Sequence, residues 1–290
     1  MTAERQNFRM LQRMRVRWAE VDMQKIVFNA HYLMYFDTAM SDYWRALGLP
    51  YSTTLEALQG DLYVKKASVE YFGSARYDDV LDVGLRLARI GNTSLTFHGA
   101  IFCGDTLLVT SELVYVFADP TSQTSKPVPT TLREAFERFE AGASMTHVKV
   151  GTWDTVGPMA SILREAVFVQ EQGIQADIVW DAADATAVHA VSINALGIPV
   201  ATGRMVDCGG GVVRIGRMAV VRPMRGSSLG RDVLMALIEK AEQDGYAEVM
   251  LHAQCSAEGF YSRNNFVPRG PVFEEAGIRH IEMFKVLKPE

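Results

Sequence analysis

The sequence predicts two successive domains: an α+β domain in which a long helix lies against an antiparallel sheet, and an α/β domain with a mixed sheet. The chain has 290 residues, which is more than one hydrophobic core usually organises. In the first half a long helical pattern precedes a run of strand patterns, whereas strands and helices alternate in the second half. The halves show no shared repeat, so two different folds are expected and not a duplication.

The first half contains the long helix and the antiparallel strands. Apolar residues alternate with Arg15 and Arg17 over residues 14–18, which predicts a half-buried strand. From Leu33 apolar residues recur at steps of three and four, which predicts an amphipathic helix that stops at Gly48. Alternating runs joined by Gly-Asn and Gly-Asp turns follow at residues 81–87, 95–101 and 107–117. The helix is expected to lie on this sheet, because both must bury an apolar face.

A change of composition predicts the domain boundary. Residues 119–129 are rich in Pro, Ser and Thr, and a short helical pattern at 132–139 follows before Gly142. We therefore predict domains over residues 1–142 and 143–290. In the second domain the strongest helical patterns cover residues 156–168 and 229–243.

Composition and charge narrow the class of protein. The hydrophobic fraction of 48% and the charged fraction of 22% are those of an ordinary globular chain. The net charge of −5 opposes attraction to nucleic acid or to anionic membranes, so neither is expected as a partner. The cysteines Cys103, Cys208 and Cys255 form no CxxC pair, which predicts neither a metal site nor a disulfide framework. With no signal-peptide pattern and no long apolar run, a cytoplasmic location is expected.

The first candidate site is the run from Trp18 to Tyr32, which places an acidic-x-Asp pair, Glu20 and Asp22, just before the long helix. Over residues 10–141 the chain resembles the acyl-CoA and 4-hydroxybenzoyl-CoA thioesterase branch of the hotdog family. The resemblance implies that Asp22 is the catalytic aspartate. A carboxylate there attacks a thioester or activates a water molecule, while N–H groups at the helix start polarise the carbonyl. The resemblance also implies a homodimer or higher homo-oligomer through this domain.

Two features of this run depart from the family pattern. Asn29 stands where a subgroup has histidine, and Gln24-Lys25 replace the usual small residues after the aspartate. The structural alternative is that Asp22 only caps a turn or the helix. His31 is as consistent with a helix-surface or core position as with a catalytic one.

The second candidate site is the segment from Ile215 to Gly230, which runs from an apolar strand through a Pro- and Gly-containing turn into the 229–243 helix. Successive N–H groups in such a turn, together with the helix dipole, suit a pyrophosphate. The segment resembles the acetyl-CoA motif of the GNAT superfamily. The resemblance implies that the turn and the preceding strand bind coenzyme A through Met218, Val220, Arg225, Gly226, Ser228 and Gly230. Ser228 replaces the middle glycine, and its N–H serves if the backbone there does not need positive φ. The alternative is a plain strand-to-helix connection.

The segment from Phe260 to Phe266 strengthens the second resemblance, because it is similar to the GNAT Phe-Tyr segment near the C-terminus. With residues 167–172, 180–184 and 277–283, it resembles the ElaA-type branch. The resemblance implies that Tyr261 protonates the departing CoA thiolate. Glu171, His252 and His280 are candidates for the base that takes the proton of the amine. The acidic residues of loop 177–184 either attract a cationic amine or are merely solvated.

Both halves therefore point to a CoA thioester. The first interpretation is a bifunctional enzyme whose N-terminal domain hydrolyses an acyl-CoA and whose C-terminal domain transfers acetyl to a small amine. CoA is then a substrate, and no tightly bound cofactor is expected. One alternative is an acyl-CoA-binding sensor with one inactive domain, suggested by Asn29 and Ser228. A second is an acyl-transferring signal synthase, because residues 168–172 and the acidic loop distantly resemble acyl-homoserine-lactone synthases.

Overall fold

The computed structural model describes residues 3–287. The chain separates into two compact units between Met145 and Thr146. The predicted domain extents, 1–142 and 143–290, remain a proposal. Within residues 3–287, no helix combines the length and apolar character needed to cross a membrane.

The N-terminal unit is a single helix-on-sheet layer structure. Its elements in chain order are β1 (Met10–Arg15), α1 (His31–Ala46), α2 (Tyr51–Ala57), β2 (Asp61–Tyr71), β3 (Val80–Ile90), β4 (Ser94–Cys103), β5 (Thr106–Ala118) and α3 (Thr130–Glu140). The strands form one antiparallel sheet in the order β1-β3-β4-β5-β2. A side chain at Gly99 of β4 would lie 2.5 Å from the Phe36 ring of α1. The helix therefore lies directly against the sheet, which confirms the predicted α+β architecture.

The C-terminal unit has a seven-stranded mixed sheet with helices on both faces. Its elements are β6 (Thr146–Gly151), α4 (Trp153–Arg164), a π-helical turn (Glu165–Glu171), α5 (Ala176–Val179), β7 (Val188–Asn194), β8 (Pro199–Asp207), β9 (Val212–Val220), α6 (Leu229–Gln243), β10 (Glu248–Gln254), α7 (Glu258–Ser262), β11 (Val267–Glu275) and β12 (Ile278–Val286). The strand order is β11-β12-β10-β9-β8-β7-β6. Among the described strands, only β9 and β10 pair in parallel, joined through α6, which confirms the predicted mixed α/β sheet.

Two cores hold the helices of this unit on opposite faces of its sheet. The core on one face packs Val233, Leu237 and other residues of α6 against β7 to β10. The core on the other face packs α4 against Val191 and Ile193 of β7. Side chains of successive strand residues alternate between faces, so the polar residues of β7 to β9 that share the α4 face are placed beneath that helix.

Most predicted elements are confirmed, and the exceptions have local causes. The long helix ends before Gly48, which adopts φ +71°. The strand predicted at 14–18 is confirmed only at Met14 and Arg15, because β1 ends there and residues 18–20 form a 3₁₀ turn. Glu20 stabilises this turn by accepting the Arg17 N–H. The α-helix predicted at 156–168 ends at Arg164 and continues as the π-helical turn. The edge strand β2 was not predicted, because its exposed Val64-Lys65-Lys66 run shows no alternation.

Candidate functional site

Asp22 lies in a tight hairpin that leads into α1. Val21 and Val27 form an antiparallel bridge, and the Asp22 N–H donates to the Ile26 carbonyl at 2.9 Å. The Asp22 Oδ1 atom accepts the Gln24 N–H at 2.8 Å. The carboxylate therefore stabilises the turn, which is the structural role considered beside the catalytic one. The side chain is partly exposed, and within residues 3–287 its Oδ2 atom has no hydrogen-bond partner. One carboxylate oxygen therefore remains available for chemistry.

Glu20 anchors the hairpin from within the core. Its buried carboxylate accepts the Tyr35 hydroxyl of α1 at 2.7 Å and pairs with the Arg17 guanidinium at 2.5 Å. Burial alone would raise the pKa of Glu20, but the hydrogen bonds from Arg17 and Tyr35 outweigh burial and lower it. The Glu20 carbonyl also accepts the Phe28 N–H at 2.9 Å. Glu20 thus ties the Asp22 hairpin to the segment that starts α1.

The start of α1 carries backbone donors and the residues that depart from the family pattern. Among the described residues, the N–H groups of Asn29 and Ala30 donate to no protein acceptor. The His31 Nδ1 atom lies 3.3 Å from the Met34 sulfur. Lys25 adopts φ +63°, a conformation that costs a non-glycine residue about 1 kcal/mol or more. The lysine at this turn is therefore held in a strained backbone by the surrounding hydrogen bonds.

Apolar side chains surround this hairpin and remain exposed. Met23 is fully exposed, and Trp18 packs edge-on against the exposed Tyr77 at 5.6 Å. Phe28 contacts His31, and the Tyr71 hydroxyl at the end of β2 donates to the Asn29 carbonyl at 3.2 Å. Several exposed apolar side chains close to one hairpin are typical of a binding or association site.

In the C-terminal unit, two neighbouring strands separate and open a cleft. β9 and β10 pair from Val212 opposite Glu248 to Ile215 opposite Leu251, and no pairing continues beyond that point. β9 nevertheless runs on to Val220, paired only with β8 on its other side. The backbone at Met218 to Val220 therefore faces the cleft, where an extended ligand such as a pantetheine arm finds main-chain groups on one strand.

The turn after β9 presents a row of unused backbone donors. Within the described chain, the six N–H groups of residues 226–231 donate to no protein acceptor. Gly226 adopts φ +83°, which only glycine accommodates readily. Ser228 adopts φ −73°, so its backbone does not need a glycine and its N–H is available like those of its neighbours. A side chain at Gly230 would lie 3.3 Å from Val220 Cγ2, so this helix start packs closely on the strand. The arrangement suits a phosphate group.

Tyr261 lines a cavity of about 390 Å³ beside the cleft. Its ring is buried against Phe260 and Phe266, and burial raises the pKa of its hydroxyl to about 12. The hydroxyl therefore keeps its proton at neutral pH. Asn265 adopts φ +67°, the left-handed conformation that asparagine tolerates best after glycine.

Glu171 lies at the end of the π-helical turn and is bound to Arg225. The two carboxylate oxygens accept from the guanidinium at 2.6 and 2.7 Å, and the Arg225 Nε donates to the Val220 carbonyl. The hydrogen bond from Arg225 lowers the pKa of Glu171. Arg225 thus faces Glu171 and the strand, and the predicted catalytic role of Glu171 stays a prediction.

His252 has a carboxylate partner inside the cavity. Its Nδ1 atom lies 2.9 Å from Glu275 Oε2, and its ring packs edge-on against Phe273. Burial alone would raise the pKa of Glu275, but the bond to His252 lowers it. His280 also lines the cavity, where its Nδ1 atom faces the Ile278 carbonyl at 2.8 Å. Glu275 was not predicted as a site residue, because the pairing of strands distant in sequence brings it to His252.

Two of the three aspartates of the acidic loop, Asp181 and Asp184, are neutralised by arginines, which argues against their attracting a cationic amine. Asp184 is buried and accepts from Arg164 at 2.8 Å and from Arg204 at 2.9 Å. Asp181 pairs with Arg204 at 2.6 Å and with Arg217 at 3.1 Å. These arginines come from α4, β8 and β9, so no local sequence signal revealed the network.

Comparison with known proteins finds relatives of both units. The family model for the thioesterase-like superfamily matches residues 16–136, and that for the GNAT acetyltransferase domain matches residues 166–287. A putative esterase of Aquifex aeolicus is 33% identical over 93 residues, which are 32% of this chain and 72% of the relative. The uncharacterized N-acetyltransferase YjcF of Bacillus subtilis is 34% identical over 130 residues, 43% of this chain and 89% of its own. The chain belongs to both families.

A third relative matches the thioesterase-like unit over nearly its whole length. The acyl-CoA thioester hydrolase YbgC of Escherichia coli O6:H1 is 27% identical over 128 residues, which are 43% of this chain and 92% of the relative. The fusion predicted from sequence, a thioesterase-like domain followed by a GNAT domain, is thereby confirmed. Asp22 lies within the thioesterase-like match, and the cleft, the phosphate-type turn and Tyr261 lie within the GNAT match.

Proposed function

We propose that the chain is a bifunctional enzyme that uses acyl-CoA twice. The thioesterase-like unit hydrolyses an acyl-CoA, and the GNAT unit transfers acetyl from acetyl-CoA to an amine. The observation that carries the proposal is the separation of β9 from β10, which leads directly into six unused N–H groups at residues 226–231. A long, flexible ligand that ends in phosphates, as CoA does, fits a strand edge followed by an anion-binding turn.

Asp22 is the proposed catalytic group of the thioesterase-like unit. Its free carboxylate oxygen either attacks the thioester carbonyl carbon or takes a proton from the water that attacks it. The C–S bond then breaks and the CoA thiolate leaves with a proton. In the first case water then hydrolyses the acyl-Asp22 anhydride, which releases the acid and restores the carboxylate; in the second the acid forms directly. The unused N–H groups of Asn29 and Ala30 are the proposed donors to the carbonyl oxygen as it gains negative charge. Gln24 holds the carboxylate through its N–H and thereby limits its rotation.

Tyr261 and His252 are the proposed proton-transfer groups of the GNAT unit. The amine nitrogen attacks the acetyl carbonyl carbon, and the C–S bond breaks in the same addition and elimination. His252, oriented by Glu275, takes the amine proton, while the Tyr261 hydroxyl gives its proton to the CoA sulfur. Met218 and Val220 would hold the pantetheine arm, and Gly226, Ser228 and Gly230 the pyrophosphate. Arg225 sits beside that turn and becomes a phosphate ligand if it leaves Glu171.

We further propose that the chain forms a homodimer through β2. This 11-residue strand ends the sheet, and its exposed Val64 and the following Phe72 leave an apolar edge. Unpaired edges of this length pair readily with another chain. A second copy seated there would also cover the exposed apolar residues near Asp22, since Tyr71 at the end of β2 contacts Asn29. The site would thus be completed by the partner.

The first experiment is thiol release from short, long and aromatic acyl-CoAs by the full chain without an amine. Release, with binding of acetyl-CoA seen by calorimetry, supports the bifunctional enzyme. Binding of CoA thioesters without release, with or without amines, supports the sensor. Detection of an acylated lactone by mass spectrometry would instead support the acyl-transferring signal synthase.

A further inference from the structure

The cavity of the GNAT unit contains one arginine whose charge is not neutralised by an ion pair. Arg204, Arg214 and Arg217 line this cavity. Arg204 and Arg217 pair with Asp181, whereas the Arg214 guanidinium makes no hydrogen bond or ion pair with any of residues 3–287. Its side chain is partly buried. A partly desolvated guanidinium without a partner is costly for an empty site, so a ligand is expected to supply the missing acceptor.

The carboxylates of the cavity are already occupied. Asp181 accepts from Arg204 and Arg217, and Glu275 is bound by His252 at 2.9 Å. The charge of Arg214 acts on Glu275, but the two groups form no ion pair. The cavity therefore has no spare negative charge for a cationic group and one spare positive charge for an anionic one.

Arg214 is also placed next to the proposed reaction centre. It lies on β9 opposite Met250 of β10, one residue before the strands separate. His252 is two residues after Met250 on β10, so its side chain faces the same side of the sheet as that of Met250. Two residues correspond to about 7 Å along the strand. A small molecule that reaches Arg214 with one end therefore reaches His252 with a group only a few bonds away.

We infer that the acceptor of the GNAT unit is an amine that also carries an anionic group, as an amino acid does. The inference rests on the proposed acetyl transfer. Arg214 binds the anionic group through charge-assisted hydrogen bonds, and the amine is thereby presented to His252. The amine nitrogen forms a bond to the acetyl carbon, the C–S bond breaks, and the products are an N-acetylated acid and CoA. Carboxylates and phosphate monoesters share the chemistry that Arg214 recognises.

The test measures acetylated product by mass spectrometry, so that hydrolysis by the other unit does not interfere. The full chain and acetyl-CoA are supplied with matched acceptors: amino acids against their neutral amides, and phosphoethanolamine against ethanolamine. We expect kcat/KM to favour the acidic member about tenfold or more. The first series identifies a carboxylate as the bound group, and the second a phosphate.

Variants then assign the preference to Arg214. In Arg214→Gln, the kcat/KM values of the acidic and the neutral acceptor of a pair should differ by no more than about twofold. The change should arise mainly in KM, because the lost interaction is a binding contact. Arg279→Gln is the matched control, since it removes an exposed arginine next to His280 that does not line the cavity, and it should keep the preference. Equal use of the neutral acceptors, or a preference that survives Arg214→Gln, would overturn the inference. A protein that binds acetyl-CoA but acetylates no acidic amine also rejects it and leaves the CoA site standing. Failure to bind acetyl-CoA rejects the proposed function and this inference with it.

Discussion

The Glu171 carboxylate forms a bidentate ion pair with the Arg225 guanidinium, with oxygen-to-nitrogen distances of 2.6 and 2.7 Å. The pair joins the π-helical turn to the segment that leads into the proposed phosphate turn. Arg225 lowers the pKa of Glu171, which makes this carboxylate a weak base at neutral pH. His252 has an orienting carboxylate and no competing cation bound to it.

Substitutions at Glu171 and His252 distinguish which of the two is the base, because they should affect the rate of acetyl transfer differently. We expect Glu171→Gln to keep kcat within about threefold of the wild-type value, and His252→Gln to lower it about 100-fold. The measurement is acetylated product as a function of pH. A loss of kcat in Glu171→Gln, with the pH profile of His252→Gln unchanged from the wild type, would identify Glu171 as the base.

Tyr261→Phe should lower the kcat of acetyl transfer about 10- to 100-fold while the KM for acetyl-CoA changes little. The wild-type hydroxyl has a pKa raised to about 12, so this proton donor should not be lost between pH 7 and 10. Tyr246→Phe is the control, because Tyr246 does not line the cavity. Equal rates for Tyr261→Phe and the control would remove the proton-donor role.

Ser228→Pro should weaken acetyl-CoA binding about tenfold, because it removes one of the six unused N–H donors. The φ of −73° at this residue is one that proline adopts. Ser228→Ala keeps the N–H and loses only the hydroxyl bond to Asp232, so its affinity should stay close to the wild-type value. The measurement is titration calorimetry with acetyl-CoA. An equal loss in both variants would show that the backbone donor is not the cause.

Asp184→Asn should destabilise the GNAT unit by about 3 kcal/mol, because it leaves the fully buried Arg164 without its ionic partner. Burial alone would raise the pKa of Asp184, but the hydrogen bonds from Arg164 and Arg204 lower it below its usual range. In the wild type this stability is present above the unfolded-state pKa of about 4 and is lost as pH falls through the lower folded-state pKa.

Urea unfolding measured from pH 7 to pH 3 tests this linkage. The stability difference between wild type and Asp184→Asn should shrink as the pH falls. Asp177→Asn, in the same loop, is the control and should leave stability unchanged within about 0.5 kcal/mol. A difference that is constant with pH would contradict a charged Asp184 in the folded state.

Asp22→Asn should lower acyl-CoA hydrolysis at least 100-fold without changing the unfolding free energy by more than about 1 kcal/mol. The amide can still accept the Gln24 N–H, so the turn is retained. Asp105→Asn, an exposed turn residue of the same unit, is the control. Thiol release by Asp22→Asn at the rate of this control would leave Asp22 as a turn residue only.

Local patterns in the sequence were sufficient for several features. Neighbouring residues set the apolar periodicity of α1, its end before Gly48 and the apolar-polar alternation of β3 to β5. These features were therefore predicted correctly. The turn at residues 222–230 was predicted for the same reason, because its glycines and the helix after it are contiguous. The edge strand β2 was missed, since an edge strand is exposed and lacks the apolar period.

Sequence by itself determined the two families, the long helix on its sheet, and the turn whose N–H groups suit a phosphate, because each depends on residues close together in the chain. Only the tertiary structure decided which charges are free. Arg164, Arg204 and Arg217 come from three separate elements and neutralise two aspartates of the acidic loop. Glu275 reaches His252 across the sheet. Among residues 3–287, the same pairing leaves the Arg214 guanidinium without a hydrogen-bond or ion-pair partner. Charge compensation depends on distances between side chains remote in sequence, and the packing of the strands sets those distances.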